Sequence, residues 1–163
     1  MVGRLLSEAL EWVFVDMDHQ LVAEAGMPIQ DIVASRGWQY FREKEGRLLM
    51  QLSKTERQVI ATGGGVVTVG SNIAAMRTSG KVVWLQASPA VIAERMVKDN
   101  NAVRQRPPLH GDDSLTEIEE ILKERMPLYD EANHFRVGTD NLTPEEVAGQ
   151  ILEWLEADLE AGS

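Results

Sequence analysis

Apolar positions follow two rhythms along the chain, one recurring every three or four residues and one made of short unbroken runs. Val2, Leu5, Leu6, Ala9 and Leu10 recur at helical spacing, so the chain begins inside a helix. Trp12-Val13-Phe14-Val15 is a short apolar run ending at Asp16 and predicts a buried strand. From Asp18 the helical pattern resumes until Gly26-Met27-Pro28 punctuates it. Ile29, Ile32 and Val33 predict a short helix to Gly37. Trp38, Phe41, Leu48, Leu49 and Leu52 mark a longer one, which also carries Arg42, Glu43, Lys44 and Glu45.

Gln58-Val59-Ile60-Ala61-Thr62 predicts a second strand running directly into Gly63-Gly64-Gly65, and residues 71–78 predict a helix closed by Gly80. Lys81-Val82-Val83-Trp84-Leu85 predicts a third strand. Ser88-Pro89 then supplies a capping hydroxyl and a proline at the first helical position. Residues 98–113 are polar and carry Asn100-Asn101, Pro107-Pro108 and Gly111, the composition of a long functional loop or lid. Ser114 with Glu117 has capping-box spacing and opens a helix through about Glu124, which Pro127 is expected to end. His134 to Gly138 predicts a fourth strand. Thr143-Pro144-Glu145-Glu146 is a second capping box, leading a helix striped by Val147, Ile151 and Leu155. No repeat or linker interrupts the chain, so residues 1–163 form one domain. Strands alternating with helices predict an α/β fold with a parallel sheet.

Composition narrows the chemistry. The 163 residues are 44% hydrophobic and 26% charged, which is globular composition. With 16 Lys+Arg against 26 Asp+Glu the net charge is −10, which argues against a general nucleic-acid binder. Basic side chains gathered at one spot would therefore stand out as a specific anion site. The absence of cysteine excludes disulfides, thiolate metal sites and cysteine nucleophiles. No apolar run approaches the ~20 residues of a membrane helix, and the acid-bearing N-terminus is no secretory signal. A cytoplasmic protein without membrane partners is expected.

In open parallel sheets, ligands bind beyond the carboxyl ends of the strands. Asp16-Met17-Asp18 closes the first strand and Thr62-Gly63-Gly64-Gly65 the second. Two carboxylates one residue apart can serve a metal and a substrate proton, or can simply form a turn and helix cap. A glycine triplet lets backbone N–H groups approach an anion or hydroxyl, or merely makes a tight turn. Arg42 stands three residues before Glu45, the spacing of an ordinary surface ion pair of little energetic weight. Arg125 suits the last turn of a helix, and Arg104 and Arg106 are either solvated or a clamp on phosphate. His19, His110 and His134 have no metal-ligand spacing.

The order of these features carries more than any one of them. Phe14-Val15-Asp16-Met17-Asp18, Phe41-Arg42-Glu43-Lys44-Glu45, Ile60-Ala61-Thr62-Gly63-Gly64-Gly65, Arg106-Pro107-Pro108-Leu109 and Glu124-Arg125-Met126-Pro127-Leu128-Tyr129 resemble the successive motifs of the shikimate kinases. The resemblance implies a three-layer α/β/α P-loop kinase fold of the nucleoside-monophosphate-kinase type. It implies transfer of the ATP γ-phosphoryl group to the 3-hydroxyl of shikimate by a monomer, with Mg²⁺, on the route to chorismate and aromatic amino acids. By the same resemblance Asp18 orients or deprotonates the shikimate hydroxyl, and Asp16 holds Mg²⁺ through water. Arg42 and Arg125 grip the carboxylate, and Gly63, Gly64 and Gly65 line the substrate. Arg106 is the lid arginine that meets the transferring phosphate. Arg95 and Pro144 flank adenine.

The sequence departs from the family in one major respect. The family begins with an apolar strand and G-x-x-G-x-G-K-[ST], whose amides and lysine cradle phosphates. Here Val2-Gly3-Arg4-Leu5-Leu6 resembles the helix shortly after that motif, and no Gly-x-x-x-x-Gly-Lys-Ser/Thr occurs elsewhere. The family's strand order is 2-3-1-4-5, so the central first strand is expected to be missing and the chain to be N-terminally incomplete. Little or no kinase activity is expected of the chain by itself. A non-catalytic shikimate-binding remnant is one alternative. A sister enzyme such as gluconate kinase is another, against which Asp-x-Asp, Phe-Arg-x-x-Glu and Arg-x-Pro-Leu-Tyr all speak.

Overall fold

A computed structural model describes residues 1–98 and 115–162. Helix α1 (Val2–Leu10) leads into strand β1 (Val13–Asp16), and α2 (Met17–Ala25) follows without a loop. Helix α3 (Ile29–Leu52) precedes β2 (Gln58–Ala61), a short 3₁₀ turn (Val66–Thr68) and α4 (Gly70–Ser79). Then come β3 (Val83–Gln86), α5 (Pro89–Lys98), α6 (Leu115–Ala132), β4 (Phe135–Gly138) and α7 (Pro144–Ala161). All four expected strands form, each within two residues of its expected bounds. Of the loop expected over 98–113, Lys98 closes α5; Arg104, Arg106 and His110, like Ser114, lie outside the described residues.

Local chemistry explains the boundaries. Gly26 ends α2 at φ 67°, a left-handed conformation that costs glycine least. Gly37, at φ 83° and ψ 164°, kinks α3 between the two helices that the sequence predicts. Thr143 and Glu146 form the expected capping box, with Pro144 in the first turn of α7. One expectation fails. Helix α6 continues through Pro127 to Ala132, because its last turns are held from outside: Ala132 is buried, and Tyr129 packs on Trp84 with ring centroids 5.5 Å apart. Such tertiary contacts offset the backbone bond that a proline removes.

The strands form two parallel pairs, β1 with β2 and β3 with β4, in the registers Val15↔Ile60 and Leu85↔Val137. Side chains alternate between two helical layers. Ile60 packs into a core of Met17, Leu21, Phe41, Leu48, Ile73 and their neighbours from α2, α3 and α4. Val59 and Val83 face a second core of Leu6 from α1, Val137 from β4, and Val147 and Ile151 from α7. Met17 and Ile151 are completely buried, and burial of each contributes roughly 2 kcal/mol. This is the expected three-layer α/β/α arrangement. Strands β2 and β3 do not pair; both line one cleft of about 1870 Å³.

Candidate active site

The site lies beyond the carboxyl ends of β1 and β2, where α2 and the glycine loop begin. Asp16 is the last residue of β1 and the N-cap of α2, its Oδ1 accepting the His19 backbone N–H at 3.1 Å. His19 Nδ1 stands 3.7 Å from Asp16 Oδ2 on the exposed side. Asp18 occupies the first turn of α2, where the positive end of the helix dipole favours a carboxylate.

The glycine loop is fastened through its carbonyls. Gly63 accepts from the Val66 N–H at 3.2 Å, and Gly65 accepts from the Thr68 N–H and hydroxyl at 3.1 and 2.7 Å. Gly64 accepts from the Tyr129 hydroxyl at 2.7 Å. Buried Asn72 donates to the Val66 carbonyl at 3.0 Å and holds the following turn.

Absence of side chains on this loop lets four charged groups converge. A Cβ on Gly63 would stand 3.1 Å from Asp18 Oδ1 and 3.2 Å from Glu45 Oε1. One on Gly64 would lie 3.0 Å from the Tyr129 hydroxyl and 3.9 Å from an Arg125 guanidinium nitrogen. One on Gly65 would overlap the Arg42 guanidinium outright. Asp18, Arg42, Gly63, Gly64, Gly65 and Arg125 therefore come together, although they arise from α2, α3, the β2–α4 loop and α6.

Glu45 and Tyr129 join them as site residues that spacing did not single out. The Arg42–Glu45 pair is not the expected surface pair: Arg42 donates to Glu45 Oε2 at 2.6 Å, and the Glu45 side chain is only 1% exposed. Burial pushes the Glu45 carboxyl above its ordinary value of 4.5, and nearby Asp18 adds to the rise. The charges of Arg42 and Arg125 and the Arg42 hydrogen bond oppose it. The Arg42 guanidinium also lies over the Trp38 and Phe41 rings, at 5.2 and 5.3 Å. The signal for Glu45 was in the sequence. Residues 41, 45, 48 and 49 share one helical face, and the other three are apolar core.

Arg95 and Pro144 stand on other elements. Arg95 on α5 donates to the Thr139 hydroxyl and carbonyl at 2.8 and 2.6 Å, just past β4. Thr139 is itself buried and donates from its N–H to the Gln86 carbonyl at 2.8 Å. Pro144 begins α7, a short turn further along. Arg106 lies outside the described residues. Among the described residues no group of three His, Cys, Asp or Glu side chains could enclose a metal ion. An ion such as Mg²⁺, which keeps several waters and takes one or two carboxylates, needs no such cage, and the lone carboxylate of Asp16 suits that mode. No helix among the described residues is long and apolar enough to cross a membrane.

Comparison with known proteins leads to a single family. The family model described as Shikimate kinase matches residues 1–156. Shikimate kinase from Oleidesulfovibrio alaskensis is 43% identical over 156 residues, covering 95% of this chain and 89% of the relative. Shikimate kinase 2 from Photorhabdus laumondii is 40% identical over 153 residues, covering 93% and 86%. Among solved structures, shikimate kinase from Acinetobacter baumannii in complex with shikimate superposes with a TM-score of 0.89 at 31% identity, covering 96% of this chain and 86% of that one. The Aquifex aeolicus enzyme superposes with a TM-score of 0.77 at 31% identity, covering 97% and 89%. This chain belongs to the shikimate kinase family.

Proposed function

We propose that the pocket formed by Asp18, Arg42, Gly63, Gly64, Gly65 and Arg125 binds shikimate, and that its chemistry is acceptance of the ATP γ-phosphoryl group by the shikimate 3-hydroxyl. The observation that carries this reading is the meeting of Arg42 and Arg125 on the glycine loop in a protein of net charge −10. Two guanidinium forks in one spot match a small carboxylate. On this reading the protein acts as a monomer in the cytoplasm, on the route to aromatic amino acids.

Each residue has a defined task. Arg42, backed by Glu45, and Arg125 fix the carboxylate and so orient the ring. Gly63, Gly64 and Gly65 turn their carbonyls inward, leaving backbone N–H groups to meet the substrate. Asp18 accepts the proton of the 3-hydroxyl as that oxygen bonds to the γ-phosphorus, while the bond from this phosphorus to the bridging oxygen breaks and ADP leaves. Asp16 holds Mg²⁺ through water, and the ion supplies charge neutralisation for the phosphate oxygens when bound. The lid Arg106 stabilises the same charge, since positioning and electrostatics dominate phosphoryl transfer. Arg95 and Pro144 flank adenine: two in-plane hydrogen bonds to Thr139 fix the guanidinium plane and leave its face for a ring.

The 163 residues contain no G-x-x-x-x-G-K-[ST]. On this reading the chain by itself binds shikimate but turns over ATP weakly or not at all. Calorimetry with shikimate and with ATP, and a coupled ATPase assay beside a version extended upstream, test both parts. Saturable shikimate binding that Arg125→Met abolishes is the expected result. Absence of shikimate binding to the folded chain overturns the substrate, and equal turnover by the two versions overturns the second part.

A further inference from the structure

Gly46 and Asn72 meet between the helix that carries Arg42 and the loop on which Arg42 rests. Asn72, in the first turn of α4, is only 1% exposed. Its Nδ2 donates to the Val66 carbonyl at 3.0 Å. Val66 directly follows Gly65, and its own N–H donates to the Gly63 carbonyl at 3.2 Å. Both backbone groups of Val66 are therefore engaged, one by the glycine loop and one by Asn72.

The same amide lies against α3. A Cβ on Gly46 would stand 3.1 Å from Asn72 Oδ1 and 3.8 Å from its Nδ2, so a side chain there moves the amide or the helix by a few tenths of an ångström. Glycine is less favourable than alanine in a helix interior, so α3 forgoes helix stability at this point and gains a close approach. Gly46 adjoins Glu45 and stands one helical turn beyond Arg42. A leucine would fill a similar volume at 72 without the desolvation cost of a buried amide. What the amide supplies is direction, because a hydrogen bond fixes distance and angle and apolar contact does not. The fit at stake is close, since a Cβ on Gly65 would overlap the Arg42 guanidinium.

We propose that Asn72 is a positioning residue: wedged between Gly46 and Val66, it sets the separation of α3 from the glycine loop and so seats the Arg42 guanidinium for its ligand. The role rests on reading this pocket as a shikimate carboxylate site, but the seat of the guanidinium is measurable without any ligand.

NMR of the isotope-labelled chain reads that seat through the Arg42 Nε–H signal, identified by its loss in Arg42→Met, and calorimetry with shikimate reads the pocket. Asn72→Leu removes the donor at similar volume, whereas Gly46→Ala crowds the amide while favouring the helix. Both are expected to shift the Arg42 signal and to weaken shikimate binding about tenfold or more, because small misplacements of a binding group are costly. Gly46→Ala is expected to do so without lowering the denaturant midpoint, which a role in stability alone would not produce. Ile151→Val, in the other core, is expected to lower that midpoint and to leave signal and affinity unchanged. An unmoved Arg42 signal in the folded variants overturns the proposal. So does unaltered affinity beside a shifted signal, or an equal change in Ile151→Val. If Asn72→Leu does not fold, Gly46→Ala decides by the same criteria. If the parent chain binds no shikimate, the substrate reading falls by itself and the Arg42 signal decides the positioning.

Discussion

Arg42 and Glu45 stand one helical turn apart on α3, joined at 2.6 Å, with the acid almost wholly shielded from water. The charge that the site presents to a ligand is therefore one half of a buried pair. Arg42 cannot be removed as though it were a surface arginine.

Arg42→Met is expected to cost about 3–5 kcal/mol of stability, because it strands the Glu45 carboxylate among apolar neighbours. Arg42→Met with Glu45→Met should recover most of that loss while shikimate binding stays absent. Denaturant unfolding and calorimetry on the two single variants and the double variant close the cycle. Additive losses in stability would show that the pair is not coupled.

Gly65→Ala places a methyl group where the Arg42 guanidinium lies. Overpacking of this kind costs roughly 1–3 kcal/mol, and the arginine is expected to yield before the backbone does. Shikimate affinity should fall far more than stability, whereas Gly70→Ala, with open space around it, should change neither affinity nor fold. Equal affinity of Gly65→Ala and the parent chain would contradict the contact.

Tyr129→Phe keeps the ring against Trp84 and deletes the hydroxyl that donates to Gly64. A loss near 1 kcal/mol is expected in stability, with a matching loss of shikimate affinity as the glycine loop loosens. Slowed exchange or unchanged dynamics at Gly64 in the variant would argue against that role.

Stability should respond to pH through two groups of opposite sign. Glu45 has a folded-state value raised above 4.5, chiefly by burial, so its contribution is fully present below 4.5 and is lost as pH rises through the folded value. His134 accepts the Val82 N–H at 2.9 Å and is held below its ordinary 6.5 by burial, Arg77 and Lys81. Its contribution is fully present above 6.5 and is lost as pH falls through the folded value. Glu45→Gln should flatten the first limb and leave the second; His134→Gln should do the reverse. Unfolding free energies measured across pH 4 to 8 distinguish them, and parallel curves for all three proteins would refute both assignments.

What the sequence disclosed was whatever is decided locally. Strands β1 and β2 were legible because short apolar runs end in Asp16 and in the glycine triplet. The last helix was legible because Thr143, Pro144 and Glu146 cap it through their own neighbours. The glycine triplet and the two arginines were legible as an ordered set of motifs. Glu45 reads as half of a surface pair by its spacing from Arg42, although it shares a helical face with buried Phe41, Leu48 and Leu49; that it meets Asp18 and the Gly63 loop is decided by elements distant in the chain. Helix α6 outlasted Pro127 for the same reason: Trp84 and Gly64, far away in sequence, hold Tyr129 in place.

The fit between Gly65 and Arg42 also bears on how this pocket can be redesigned. A guanidinium fills the room that any larger residue at 65 needs, so a side chain can enter at 65 only after Arg42 has given way to something smaller. The order of change is thereby fixed: a library meant to reshape the pocket for an uncharged sugar varies position 42 first, and position 65 on that background.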